Sequence, residues 1–223
     1  MRFAAIETST EWCSVALWTR GEIAAIERRA GNRHAELALP MLERLLAAAG
    51  MKAMDLDAVA FGAGPGSFTG LRIACGVAQG LAFARPVPVI GISTLEAIAH
   101  ESGATRVVAC LDARMHEVYY AALEKRGARW REVIPAQCVA PRLAPRPPGD
   151  DWVGCGNGFA AYPELREMNL TGVHSDLYPS AAAVASLAAP RLAAGEGVDA
   201  ALAAPAYVRE KVALTVEEQR RGR

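Results

Sequence analysis

The densest chemical signal in the chain is Gly62-Ala63-Gly64-Pro65-Gly66-Ser67-Phe68-Thr69-Gly70-Leu71-Arg72. Glycines between an apolar run and a helical pattern describe a strand, a turn and a helix start, whose free N–H groups suit an anion. The phosphate-binding arrangements differ from it in detail. A P-loop follows its last glycine with Lys and Ser/Thr; here Leu71 and Arg72 stand there. The dinucleotide fingerprint needs a glycine three residues after its second. Counted from Gly64 and Gly66, that position is Thr69. Nucleotide binding, with Thr8, Ser9, Gly64 and Gly66 as candidate contacts, therefore stands beside a plainer reading. In that reading the glycines form a tight turn that lets the next helix pack close to its sheet.

Other reactive groups are scattered. A serine hydrolase would use Ser67 or Ser93 with a histidine and Asp112. Neither serine lies in Gly-x-Ser-x-Gly, and a serine beside glycine is more often a helix cap. His34, His100, His116 and His174 are far apart, with no HExxH or HxxxH, so a protein-built zinc site is not expected. Cys13, Cys75, Cys110, Cys138 and Cys155 are odd in number and include no CxxC. They read as small buried hydrophobes in a reducing cytoplasm.

The elements that must position these residues follow from periodicity. Residues 2 to 9, 13 to 19 and 22 to 29 read as strands, the last two joined by a turn at Gly21. A helix is expected over about 34 to 49, capped by Asn32 and ended by Gly50, with Pro40 kinking it or confining its regular part to 40 onward. Its apolar residues spread over about 200° of arc, where a surface helix needs roughly 100°. Either the helix is buried on two sides within the monomer, or one side meets another chain. Residues 58 to 62 read as a buried strand and 69 to 84 as a helix with almost no polar face. Gly70, Gly76 and Gly80 in that helix cost roughly 1 kcal/mol each against Ala, so close packing should compensate. Strand 87 to 90 and a capping box at Ser93-Thr94-Leu95-Glu96 follow. The pattern then restarts, with strands at 106 to 111, 117 to 124, 130 to 134 and 152 to 155. A Pro-rich irregular stretch covers 135 to 149, and an Ala-rich helix covers 180 to 194. The order, strands and then helices, occurs twice.

With 223 residues, 52% of them hydrophobic, the chain can bury a sizeable core. Its 24 basic residues equal its 24 acidic ones, which argues against a protein that grips nucleic acid unaided. No apolar run reaches the roughly 18 residues of a membrane span.

Four segments carry a resemblance. They are Ile6-Glu7-Thr8-Ser9-Thr10-Glu11-Trp12-Cys13-Ser14-Val15-Ala16-Leu17, the stretch from Gly64 to Ile73, Asp112-Ala113-Arg114-Met115-His116-Glu117-Val118-Tyr119-Tyr120, and Pro205 to Ala213. In these, and in their order along nearly the whole chain, the sequence resembles the TsaB/YeaZ family. These are partner subunits in the threonylcarbamoyladenosine modification of bacterial tRNA. One departure is Glu7, where the family usually has Asp.

The resemblance implies an α/β fold of two ribonuclease-H-like domains of the actin/Hsp70/sugar-kinase type. They are placed at 1–103 and 104–205, with a C-terminal segment 206–223 whose last dozen residues should fray. It implies a degenerate relative of the catalytic subunit TsaD. That enzyme's metal-binding His-x-x-x-His falls on Thr94 and Ile98, which cannot replace imidazoles. Its Ser-Gly-Gly-His-Thr phosphate loop falls near 112–116, where Ala113 and Arg114 bring side chains. The function implied is that of a non-catalytic partner for a TsaD-type transferase, with a TsaE-type ATPase joining them and tRNA reached through the complex. No cofactor is implied for this chain, although ATP or ADP could sit at the assembled interface. In the family the N-terminal helices form a bundle with those of TsaD and self-pair in a homodimer when alone. On that basis the expected interface is Leu37, Met41, Leu42, Leu45, Leu46, Leu71, Ala74, Val77 and Ala78. Four Leu-sized side chains left exposed would forgo roughly 6–12 kcal/mol of burial, so these should meet a partner. An active kinase or ATPase of the same fold is the alternative, and a peptidase-like hydrolase the remoter one.

Overall fold

The computed structural model describes residues 1–209. The first sheet follows from apolar runs in its central strands, which are buried on both faces. β1 (Arg2–Glu7), β2 (Trp12–Thr19), β3 (Glu22–Arg29), β4 (Ala58–Gly64) and β5 (Val89–Ser93) pair in the order β3-β2-β1-β4-β5. β1 turns Ala4 and Ile6 to one face, and Phe3 and Ala5 to the other. β4 likewise splits Val59 and Phe61 from Ala58 and Ala60. Both faces are apolar, so both are covered. α1 (His34–Ala48) and α2 (Phe68–Ala84) lie on the outer face. α3 (Thr94–Glu101) and α5 (Ala181–Ala193) lie on the inner one.

The second sheet repeats the plan. β6 (Arg106–Arg114), β7 (Glu117–Arg126), β8 (Arg129–Val139), β9 (Val153–Cys155) and β10 (Gly172–His174) pair as β10-β9-β6-β7-β8. That is the same connectivity, with an antiparallel three-strand meander followed by parallel additions. Two α/β units with this ribonuclease-H-like strand order make up the fold. Val107, Ala109, Leu111, Ala121 and Leu123 face α3 and α5 in one core continuous between the sheets. Val108, Cys110, Tyr120, Trp152 and Phe159 form a separate core on the far face, where α4 (Gly158–Ala161) and irregular chain cover it. The layers therefore run from α1 and α2, through the first sheet, α3 and α5, to the second sheet and its cover. A cut near residue 103 separates the sheets but not the core. α5 comes from the second half of the sequence and packs against β1, β2, β4 and β5.

Several local expectations need correction. Residue 33, not Asn32, precedes the first turn of α1, and no side chain caps that helix. Its start is fixed by His34, which is buried with Nε2 2.8 Å from the Thr10 carbonyl oxygen. α1 begins six residues before Pro40, whose missing N–H lies on the exposed side of the helix. Part of the Pro-rich stretch is strand, since β8 continues to Val139 past a register shift. The short β10 and α4 have no pattern long enough to detect. The end of the fourth family-like segment, from Glu210 to Ala213, and the fraying expected of the last dozen residues lie outside the described residues.

The largest correction concerns the helices. Met41, Leu42, Leu45 and Leu46 are at most 7% exposed, packed on Cys13, Val15 and Leu17 of the sheet and against α2. Leu71, Ala74 and Ala78 are at most 1% exposed. The wide apolar arc of α1 meets a sheet on one side and a helix on the other, both within the monomer. These seven residues are core and cannot form the contact surface; of the nine expected, only Leu37 and Val77 keep partial exposure. Leu45→Asp or Leu46→Asp should therefore cost more than about 3 kcal/mol of stability, because a charge would be buried without a partner. A thermal melt of the isolated chain checks this, and an unchanged melting temperature would contradict the packing.

Candidate functional site: the seam under the glycine loop and the cleft beside it

The glycine loop is filled from within. It leaves β4 and enters α2 directly above the β1–β2 turn, and each close approach removes a place for Cβ. A Cβ on Gly62 would lie 1.8 Å from Oε2 of Glu7. One on Gly66 would lie 2.6 Å from Cβ of Ser9, and one on Gly70 would lie 1.9 Å from the Thr8 carbonyl oxygen. One on Gly64 would meet the Ala206 carbonyl oxygen at 2.6 Å. Hydrogen bonds lock the same seam. The Thr8 hydroxyl donates to the Gly70 carbonyl at 2.7 Å, and the Ser67 amide donates to the Ser9 carbonyl at 2.7 Å. The Ser67 hydroxyl oxygen accepts from the Gly70 amide, and Ser93 caps α3 in the same way through the Glu96 amide. Both serines serve as caps.

The candidate nucleotide contacts Thr8, Ser9, Gly64 and Gly66 are thus brought together, but against one another. The bare glycine faces that a phosphate would need are occupied by Ser9 and Ala206. Thr94 and Ile98 offer no metal ligands. Thr94 is fully buried with its hydroxyl donating to the Pro65 carbonyl, and Ile98 lies in the core between the sheets. Among the described residues no group of three or more His, Cys, Asp and Glu is placed to hold a metal ion.

Glu7 is the charged exception in this seam. It is 1% exposed. One carboxylate oxygen accepts from the Ser9 amide at 2.6 Å, while Oε2 has no partner and points at Gly62. Burial raises its pKa to about 7, against the smaller opposing effect of hydrogen bonds from Ser9 and Thr8. Gly62 supplies the room that the extra methylene of Glu, relative to Asp, requires.

Between the two sheets lies a cleft of about 580 Å3. Its first-sheet wall is the β1–β2 turn and the start of α2. Its second-sheet wall is the β6–β7 turn, where Arg114, Met115 and His116 have φ of 62°, 55° and 58°. Three consecutive non-glycine residues in the left-handed region are costly, about 1 kcal/mol or more each. The turn is held by the Arg114 amide donating to Asp112 Oδ1 at 2.8 Å, and by Asn157 Oδ1 accepting from the Asp112 amide at 2.9 Å. Ala113 points inward, and Arg114 pairs with Asp112 at 3.0 Å.

The chain after α5 crosses this cleft. Gln79 Nε2 donates to the carbonyls of Ala200 and Ala203, and the Ala206 amide donates to Ala63 at 2.7 Å. Arg72 lies 3.8 Å over the Phe68 ring and donates from Nε to the Tyr207 hydroxyl at 3.1 Å. Arg209 then reaches the second sheet, pairing with Glu117 and donating to the Arg114 carbonyl. Sequence reasoning gave Phe68, Arg72, Tyr207 and Arg209 no role. Tyr207 and Arg209 lie within the fourth family-like segment, which was the only signal available for them.

The geometry agrees with what the chain is similar to. Residues 26–215 match the family model described as TsaD, tRNA N6-adenosine threonylcarbamoyltransferase. The tRNA threonylcarbamoyladenosine biosynthesis protein TsaB of Escherichia coli (strain K12) is 39% identical over 225 residues, covering 96% of each chain. TsaB of Haemophilus influenzae is 41% identical over 222 residues, covering 93% of each. The solved structure of YeaZ from Pseudomonas aeruginosa superposes with a TM-score of 0.86 at 41% identity, covering 92% of this chain and 99% of that one.

Two outcomes follow from the seam. The Glu7 carboxyl of the unfolded chain titrates near 4.5 and that of the fold near 7. Between those values the fold retains a proton that the unfolded chain has lost. Stability should fall by about 3 kcal/mol as pH rises through that window and level off above it. Denaturant melts from pH 4.5 to 8 should show this slope for the wild type and lose it in Glu7→Gln. In addition, Gly62→Ala should cost at least about 2 kcal/mol beside Glu7 and markedly less beside Glu7→Asp. A double-mutant cycle with no coupling would contradict the contact.

Proposed function

The chain belongs to the TsaB/YeaZ family, and from that premise we propose that it is a non-catalytic partner subunit of a TsaD-type threonylcarbamoyl transferase. In this role it supports N6-threonylcarbamoyl modification of the adenosine that follows the anticodon in tRNA. A TsaE-type ATPase is the third component, tRNA is reached through the assembly, and the chain pairs with itself when alone. It works in the cytoplasm and needs no cofactor of its own. ATP or ADP, where it takes part, belongs at the assembled interface rather than in the filled glycine loop.

The observation that carries the proposal is the outward face of α2. Gly76 and Gly80 are exposed, four residues apart, with nothing within 4 Å of where a Cβ would stand. Inside the monomer they give no packing in return for roughly 1 kcal/mol each in lost helix propensity. Ile73 and Phe83 continue the same stripe at helical spacing, and Leu39 is 44% exposed on the neighbouring α1. A smooth, apolar, glycine-notched helix face lets a second helix approach closely, and surfaces of this kind mark interfaces. The interface is therefore drawn on Leu39, Ile73, Gly76, Gly80 and Phe83, with Leu37 and Val77 at its edge, and not on the buried leucines of α1.

Opposite effects on stability and binding test this. Gly76→Ala with Gly80→Ala should stabilise the isolated chain by about 1–2 kcal/mol, as for exposed helix glycines. Gly80→Leu should leave the melting temperature no lower, yet weaken association with the TsaD-type subunit by at least about tenfold, a loss of 1.4 kcal/mol. Calorimetric titration of the two subunits reads the second effect. Unchanged affinity for Gly80→Leu would remove α2 from the interface.

A further inference from the structure

The far face of the second sheet carries an arginine cluster that the fold does not need for its own neutrality. Arg106 on β6, Glu124 on β7 and Arg131 on β8 lie side by side across the sheet, and Arg126 is two residues along β7 on the same face. All three guanidiniums converge on the one carboxylate. Arg106 approaches at 3.3 Å, Arg126 at 2.8 Å and Arg131 at 2.8 Å. The Glu124 side chain is only 10% exposed, while those of the arginines are 39%, 66% and 60% exposed. Hydrogen bonds from Arg131, then Arg106 and Arg126, hold the Glu124 carboxyl below its ordinary range, so it stays ionised.

One negative charge thus gathers three positive ones and leaves an excess of two. Charges arranged for stability alone would alternate, because exposed like charges repel and exposed pairs contribute little. Here a nearly buried anion fixes three rigid forks, most of whose N–H groups still face water. Arginine forks match phosphate oxygens, and prior positioning lowers the ordering cost of binding them. The nearby charges do not cancel the excess. Arg129 and Glu196 pair with each other; the Asp150 carboxylate, held by the neutral Asn169, keeps its charge beside Arg106, whose Nη1 donates to the Asp150 carbonyl, so the excess is reduced to one and lies toward Arg126 and Arg131. The cluster also lies outside the second sheet, whereas α1 and α2 lie outside the first. A subunit docked on those helices leaves it open.

We propose that Arg106, Arg126 and Arg131, positioned by Glu124, form a docking site for the phosphate backbone of a nucleic acid. The partner is an RNA strand, which deepens the proposed role in tRNA modification and rests on it. The site adds affinity and orientation without reading bases, as phosphate contacts do. It is local, and so does not require the basic composition of a protein that binds nucleic acid alone.

The test uses the assembled heterodimer and an unmodified tRNA with adenosine after its anticodon, titrated at several salt concentrations. Arg126→Ala with Arg131→Ala should weaken tRNA binding by about tenfold or more at low salt. It should also flatten the slope of log K against log salt by between about one and two. Arg126→Lys with Arg131→Lys should keep most of that slope. Heterodimer formation should not change in either variant; the melting temperature should hold in the lysine variant and fall in the alanine one, where Glu124 loses two of its three partners. Should the double alanine variant fail to fold, Arg126→Gln alone, at the exposed hairpin, should give a smaller loss in the same direction. Equal affinity and slope in the variants would overturn the site while leaving the partner-subunit reading intact. Binding of inorganic phosphate or ATP as tight as that of tRNA would overturn the assignment to a nucleic acid. If the wild-type chain does not associate with the TsaD-type subunit, the partner reading fails first and the isolated chain decides. Salt-sensitive tRNA binding lost in the variant would support the site, and no binding at all would overturn it.

Discussion

The contact between the β1–β2 turn and the glycine loop sets the rest of the molecule. Four glycines bring backbone or side chain of Glu7, Thr8, Ser9 and Ala206 within distances that a methyl group would not allow. That approach places the N-terminus of α2 against the centre of the sheet and so fixes which face of α2 turns outward. It also seats Ala206 on Gly64, which leads the chain across the cleft to Arg209. A change at any of these glycines would shift the helix, the crossing segment and the outward face together.

The same contact explains why a glycine-rich turn at a helix start is not an open phosphate cradle here. In such a cradle the glycines present bare amides to phosphate. Here side-chain and backbone atoms of the same chain occupy those positions. The matching turn in the second sheet is shaped differently, by the Arg114–Asp112 pair and by three residues held in the left-handed region. Strain of this kind persists only where neighbours impose it. Here Asn157 and Arg209 are those neighbours. The two walls of the cleft are therefore shaped by independent means, one by packing and one by a charge pair.

Much of this was legible in the sequence. The apolar run Phe3-Ala4-Ala5-Ile6, the cap at Ser67 and the helix stop at Gly50 are local signals with local causes, and the elements they announce are present. The plainer reading of the glycine loop was legible too, because the spacing did not fit either phosphate motif. What covers an apolar arc was not legible. A helical wheel shows that α1 is apolar over a wide sector, but it does not show that a sheet and α2 divide that sector between them. Long-range closures left no pattern either. α5 returns to the first sheet from 181 to 193, and the crossing of Tyr207 and Arg209 depends on contacts more than 90 residues apart in sequence. The left-handed run at 114–116 was invisible because its residues are not glycine, the usual mark of that conformation.

Glycine itself carries the final distinction. Gly62, Gly64, Gly66 and Gly70 have atoms of the same chain against them, whereas Gly76 and Gly80, in the same helix as Gly70, have none. In sequence Gly70, Gly76 and Gly80 are equivalent, each lowering the propensity of one helix. In space the first group is accounted for within the monomer and the second is not. Exposed helix glycines with open space around them leave room for a second helix to approach closely. The empty pair on α2 therefore looks outward for its explanation, just as the uncompensated arginines on the opposite face do. One face suits a helix and the other suits phosphate, and the packed glycine seam lies between them.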